Sequence, residues 1–219
     1  AQREYSEGKV LSYEDTELVK ELSGIDAVKP LSEIADDLNE LDRSTKITTV
    51  YTTMSPYEGR HETRSMVQRT VDDRAEDPLD NRPARYEHFI KRLESLAPSL
   101  LVENLDPILD ELRKIKSERE IELIKKSTEL QAKAIEESMR STEAGIKPYQ
   151  LEAVTKFIYQ NNNYSDEAYY ALIHFGPDAF KNHYHNSIRP ARAGDMILMD
   201  YGPSYKYYTS DMARMWPVN

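Results

Sequence analysis

The sequence predicts an α+β chain in two parts, and three patterns carry that prediction. Ser117-Glu118-Arg119-Glu120 is a capping box, and behind it Ile121, Ile124, Ala132, Ile135 and Met139 recur at helical spacing, the mark of one long amphipathic helix. Pro148 opens a second helix with Leu151, Val154, Phe157 and Ile158 on one face. Two strand-like runs, Met196 to Tyr201 and Tyr205 to Met215, then flank Gly202-Pro203-Ser204 and read as a C-terminal hairpin. A chain of 219 residues accommodates one large domain or two small ones.

Nearer the start, Tyr13 to Leu22 reads as a helix closed by Gly24, Leu31 to Leu41 as another opened near Ser32, and β-branched Lys46 to Thr53 as a strand. This is a small α/β pattern. The mixed-charge stretch from Gly59 to Arg92 contains Pro78 and Pro83, so its first part reads as a long exposed loop and Arg85 to Leu96 as a helix. Its arginines fit a solvated surface better than an anion site. Ala144-Gly145 stops the long helix and Asn161-Asn162-Asn163 the one after it, leaving a tyrosine-rich segment that leads to a turn at Gly176-Pro177.

Composition excludes several classes of function. With 29 basic against 39 acidic residues, a net charge of −10 argues against a chain-wide basic face, so neither nucleic acid nor an anionic membrane surface is an expected partner. No run approaches the roughly 20 apolar residues that span a bilayer, and the polar start does not read as a signal peptide. The absence of cysteine rules out disulfides, thiolate zinc sites, iron–sulfur clusters and cysteine nucleophiles. Any metal here must therefore use oxygen or imidazole ligands. That composition favours the cytoplasm and leaves export open. Only 39% of residues are hydrophobic, 15 of the chain being Tyr, and the mean hydropathy is −0.73. Such a chain has a thin core or buries apolar faces against something outside this sequence.

The seven glycines never form GxGxxG or GxxxxGK[ST], no GxSxG elbow occurs, and His61-Glu62 lacks the second histidine of HExxH. Asp200 and Asp211 stand out instead, each within an apolar or aromatic strand-like run. A core-facing carboxylate needs a cation, donors or a raised pKa, and a hairpin with an odd pairing sum points both to one face. Two converging carboxylates repel, and a divalent metal is the usual way of holding both ionised. Turn capping by Asp200 and an ion pair between Asp211 and Arg214 are the competing readings. His183 and His185 read as alternate positions of one strand, where His183 could be a third ligand or orient a substrate. His61, His88 and His174 have no charged company that sets them apart.

These residues carry a resemblance. His183-Tyr184, Gly194-Asp195, the run Met196 to Gly202 with Asp200, Tyr205 to Asp211, and Arg214-Met-Trp-Pro217-Val-Asn219 together resemble the M24 metallopeptidase family in its aminopeptidase P and prolidase branch. Leu112 to Ser117 with Glu120 and Ile121 is similar to the entry of that family's catalytic domain. Residues 1 to 105 resemble, more faintly, a creatinase-type N-terminal domain.

The resemblance implies a pita-bread fold and two divalent metal ions, Mn2+ first and Co2+ or Zn2+ as alternatives, held by two aspartates, one histidine and two glutamates. Asp200 and Asp211 match the aspartates at the family's eleven-residue spacing, and His183 matches the histidine that lines the substrate pocket. The remaining ligands would lie downstream, so the chain reads as a fragment: 1 to 105 an incomplete N-terminal domain, 106 to 219 the first half of the catalytic one. The implied activity is hydrolysis of Xaa-Pro bonds in peptides with proline second. The fragment alone is expected to be inactive and to associate with its missing half or with another copy. Where the family writes Asp-x-Thr-Arg-Thr, this chain has Asp211-Met212-Ala213-Arg214-Met215, which removes hydroxyls that orient carboxylates. A metal-free binding scaffold and a creatinase-like, metal-independent hydrolase are the alternatives.

Overall fold

The computed structural model describes residues 10–44, 46–58, 62–164, 166–181 and 183–219. His61 therefore lies outside the described residues. The chain divides into two compact units, one formed by Ala1–Pro56 and Arg74–Pro107, the other by Tyr57–Asp73 and Ile108–Asn219. Among the described residues no helix is long and apolar enough to cross a membrane.

In the first unit, a 3-10 turn at Tyr13–Asp15 leads into α1 (Thr16–Ser23), which closes when the Gly24 N–H donates to the Lys20 carbonyl at 2.8 Å. The next segment likewise begins as a 3-10 turn, Leu31–Glu33, before α2 (Ile34–Arg43). Strand β1 (Thr49–Thr52) covers the middle of the expected run. Helix α3 (Arg64–Glu76) starts in the second unit and ends in the first; after it and α4 (Arg85–Leu96) comes β2 (Leu101–Asn104), which pairs in parallel with β1. Side chains tie the loops down: Asp42 accepts from the Ser99 N–H at 2.6 Å and Asp106 from the Met54 N–H at 3.0 Å.

Helix α3 corrects the reading of that stretch as loop. No Gly or Pro interrupts 63–76, the Thr63 hydroxyl accepts from the Met66 N–H at 3.4 Å, and Gln68 donates to Asp72 one turn on at 2.9 Å. The helix buries none of its residues, so its sequence shows no clear apolar stripe. Arg64 grips protein carboxylates, bonding Asp110 at 2.8 and 3.0 Å and Glu58 at 2.9 Å.

Helix α5 (Asp106–Lys114) precedes α6 (Glu118–Arg140), whose capping box forms as the sequence predicts, and α7 (Pro148–Asn161). Their buried faces differ from the expected ones. Helix α6 buries Ser127, Leu130, Gln131, Ala134, Ile135 and Ser138, while Ile121 and Met139 stay largely exposed. Helix α7 buries Leu151, Thr155 and Tyr159 and leaves Phe157 exposed. Polar residues win these positions because partners await them: the Ser138 and Thr155 hydroxyls meet at 3.1 Å between the helices.

The strands form two short sheets from one bent ribbon. Strand β3 (Asp166–Glu167) pairs with β6 (Pro203–Tyr205), which pairs with β7 (Tyr208–Thr209); β4 (Leu172–Phe175) pairs with β5 (Met196–Asp200), which pairs with β8 (Ala213–Pro217), all antiparallel. The reversal lies at Lys206-Tyr207, whose φ values of 49° and 70° suit the tight turn of a twisted hairpin. Gly202-Pro203-Ser204, expected as the turn, instead marks the bend where β5 ends and β6 begins. One face of the β4-β5-β8 sheet, with Ile173, Phe175, Ile197, Met199 and Trp216, packs on Ile135 and Leu151 of the helices. By the alternation of a pleated strand, Leu172, His174, Leu198 and Asp200 face the other way.

Candidate metal centre

Bending a ribbon breaks its ladder, and backbone carbonyls stranded in the interior must find other donors. Helix α6 supplies them. The Gln131 amide donates to the Tyr201 carbonyl at 2.6 Å and the Met212 carbonyl at 3.1 Å, and Ser127 donates to the Pro203 carbonyl at 3.0 Å. From α7, the Tyr159 hydroxyl reaches the same Tyr201 carbonyl at 3.2 Å. At this bend the Gly202 backbone passes so close to Ser210 that a Cβ would overlap the Ser210 carbonyl oxygen. Only glycine permits that approach.

Asp200 closes β5, paired with Leu172 on one side and Ala213 on the other, and Asp211 lies just before β8. The β5–β8 register has the odd pairing sum that sends both side chains to one face. They meet on a single atom: the Tyr169 hydroxyl lies 2.6 Å from Asp200 Oδ1 and 3.0 Å from Asp211 Oδ1. One O–H carries one hydrogen, which two acceptors share. Burial, and then the bond to Asp200, raise the Tyr169 pKa far above the ordinary phenol range, so the hydroxyl keeps its proton. Among the described residues no ion pair joins Arg214 to Asp211; its Nη1 donates to the carbonyl of Ala213 at 2.7 Å.

Two carboxylates converging from one side fit a hard divalent cation in donor type. They do not complete its shell. Among the described residues no group of three or more His, Cys, Asp or Glu is placed to hold a metal.

His183 and His185 do not lie on one strand. Both are exposed in turns, His183 with a left-handed φ of 56°, and the segment is shaped by the Arg189–Asp195 ion pair at 2.8 Å in place of a ladder. Among the described residues, no hydrogen bond, ion pair or ring contact joins His183 to Asp200 or Asp211. His185 meets the Tyr170 ring edge-on at 6.3 Å. Sequence reasoning missed Tyr169, one tyrosine among 15 with no spacing to distinguish it, and Gln131, whose polarity on a helix face suggested solvent.

Comparison with known proteins bears on this geometry. Residues 122–219 match the metallopeptidase family M24. The match covers less than half of the chain. It includes the whole bent ribbon with Asp200 and Asp211. The chain is 28% identical over 126 residues to an Xaa-Pro dipeptidase of Pyrococcus horikoshii, covering 58% of this chain and 36% of that protein. It is 28% identical over 123 residues to an Xaa-Pro aminopeptidase of Escherichia coli, covering 56% of this chain and 28% of that one. All of the chain superposes on zinc-substituted Escherichia coli aminopeptidase P bound to product, with a TM-score of 0.74, 23% identity and 44% of that chain covered. The chain thus has the α+β, pita-bread architecture of aminopeptidase P and spans less than half the length of these relatives.

Proposed function

We propose that this chain contributes half of a metal centre to an M24 peptidase that hydrolyses Xaa-Pro bonds in peptides with proline second. The observation that carries it is the convergence of Asp200 and Asp211 on the Tyr169 hydroxyl, at 2.6 and 3.0 Å. Asp200 and Asp211 would hold divalent ions, with Mn2+ first and Co2+ or Zn2+ as alternatives. Such ions supply Lewis-acid activation of water and of the scissile carbonyl. Tyr169 holds the two carboxylates at a fixed separation and, as a retained donor, balances part of their charge. His183, exposed beyond the 3-10 turn Gly176–Phe180 that follows β4, would meet the substrate. Residues 1 to 105 act as a creatinase-type N-terminal domain, and 106 to 219 as the first part of the catalytic one.

Two carboxylates are too few to fix a metal pair, so the 219-residue chain alone is expected to show no Xaa-Pro hydrolysis. The test is hydrolysis of Xaa-Pro-Yaa peptides by the protein containing this chain, loaded with Mn2+, alongside Asp200→Asn and Asp211→Asn variants. Loss of activity and of bound metal in both variants supports the proposal. Full activity in either, or turnover indifferent to a chelator, refutes it. The exposed Ala213 and Met215 beside Asp211 favour a metal-free scaffold as the second reading, which would appear as fewer than one divalent ion per chain.

A further inference from the structure

His174 sits in the centre of β4 with 1% of its surface exposed, and neither Nδ1 nor Nε2 has a hydrogen-bond partner among the described residues. Every residue of that strand is buried, and a leucine or valine would fill the position without leaving polar atoms unpaired. An orphaned donor and acceptor in a dry site each carry a desolvation cost, so a neutral imidazole kept there calls for an outside partner. Burial holds its pKa below the ordinary histidine value, against the opposing pull of Asp178, the Ile173 backbone and Asp200 and with a smaller push from His185.

Its position says where that partner lies. His174 pairs with Leu198 while Leu172 pairs with Asp200, so the imidazole shares the metal-facing side of the sheet with Asp200, its diagonal neighbour on the adjacent strand. That is about 7 Å, the reach of one to two residues of an extended peptide. Its cover is the Tyr184 ring, with centroids 6.1 Å apart, and Tyr184 is in turn held by Lys181, whose ammonium lies 4.6 Å from the ring centre and 2.7 Å from Asp178. Donor groups dominate this segment, with imidazoles at 174, 183 and 185. It suits an acceptor oxygen and not the cationic amino end of a peptide.

We propose that His174 is a specificity-determining residue that donates an imidazole N–H to a substrate oxygen on the carboxyl side of the bond cleaved at Asp200 and Asp211. This rests on the peptidase activity proposed above. The oxygen is the carbonyl or carboxylate of the residue that follows the scissile bond, exposed to His174 when Tyr184 shifts aside.

The test compares KM for Xaa-Pro-Yaa peptides with the inhibition constant of an Xaa-pyrrolidide, whose ring lacks that oxygen, in the metal-loaded protein containing this chain. His174→Phe is expected to raise KM about tenfold with kcat little changed, to leave pyrrolidide binding unaltered, and His174→Gln to recover part of the loss. A histidine that serves packing alone, or holds a buried water, would change the melting temperature or both ligands equally. Either result overturns the proposal while leaving the peptidase activity standing. Absence of hydrolysis in the unsubstituted protein refutes that activity, and this inference with it.

Discussion

Gly202 and Ser210 lie in backbone contact across the bend of the ribbon, with no room for a side chain between them. The approach brings the end of β5, with Asp200, against the segment carrying Asp211. Gly202→Ala is expected to destabilise the chain by about 2 kcal/mol or more, because the obstructing atom is backbone and cannot rotate away. Urea unfolding measures the loss. An unchanged midpoint would mean the bend relaxes without cost.

Tyr169→Phe removes the one hydroxyl shared by Asp200 and Asp211. Left to repel each other, the carboxylates spread. The expected result is a loss of about 1 kcal/mol in stability of the metal-free chain and roughly tenfold weaker Mn2+ binding in the protein with its full ligand set. Calorimetric titration reads the second effect. Equal or tighter binding would show that Tyr169 competes with the metal and does not prepare its site.

Gln131→Leu preserves much of the side chain's volume but withdraws both donors from the Tyr201 and Met212 carbonyls. Two buried acceptors then lose a partner, although Tyr159 still reaches the first. A destabilisation of about 2 to 3 kcal/mol is expected by urea denaturation. Ser127→Ala, which removes the contacts with the Pro203 carbonyl and the Ser210 hydroxyl, should cost about half as much.

The Arg189 guanidinium, with the Arg192 N–H, holds the Asp195 carboxyl below its ordinary value of 3.8. A depressed folded-state pKa means this contribution is present above the unfolded value and disappears as pH falls through the folded one. Asp195→Asn should therefore lower stability at neutral pH and flatten the acid decline below about pH 4. Urea midpoints across that range test it. Gly176 is part of the same device, since its φ of 56° and the closeness of Arg189 and Asp195 leave no space for a Cβ.

Much of the fold was legible from residues in order. The Ser117–Glu120 box, Pro148 and the Gly24 stop each act within a few residues of themselves, so their effects can be read without the tertiary structure. Helix α3 was not legible, because a surface helix with no buried residue has no stripe to betray it. Nor were the true buried faces of α6 and α7, where Ser127, Gln131, Thr155 and Tyr159 replace the apolar residues that periodicity favoured.

For the candidate site the division is similar. Their place in apolar runs and the family resemblance singled out Asp200 and Asp211, parity allowed them a common face, and the register of β5 with β8 has that parity. The histidines were misplaced: the strand expected at 183–185 is an exposed turn, and the buried imidazole is His174, which sequence alone gave no reason to prefer.

By itself, then, the sequence marked several helix starts and ends, which follow from local rules of capping and periodicity, and drew attention to two carboxylates in apolar runs. Tertiary structure decided which polar side chains matter. Tyr169, Gln131 and Tyr159 acquire their roles only when the ribbon bends, because the unpaired carbonyls and crowded carboxylates they satisfy do not exist until segments far apart in the chain have been brought together.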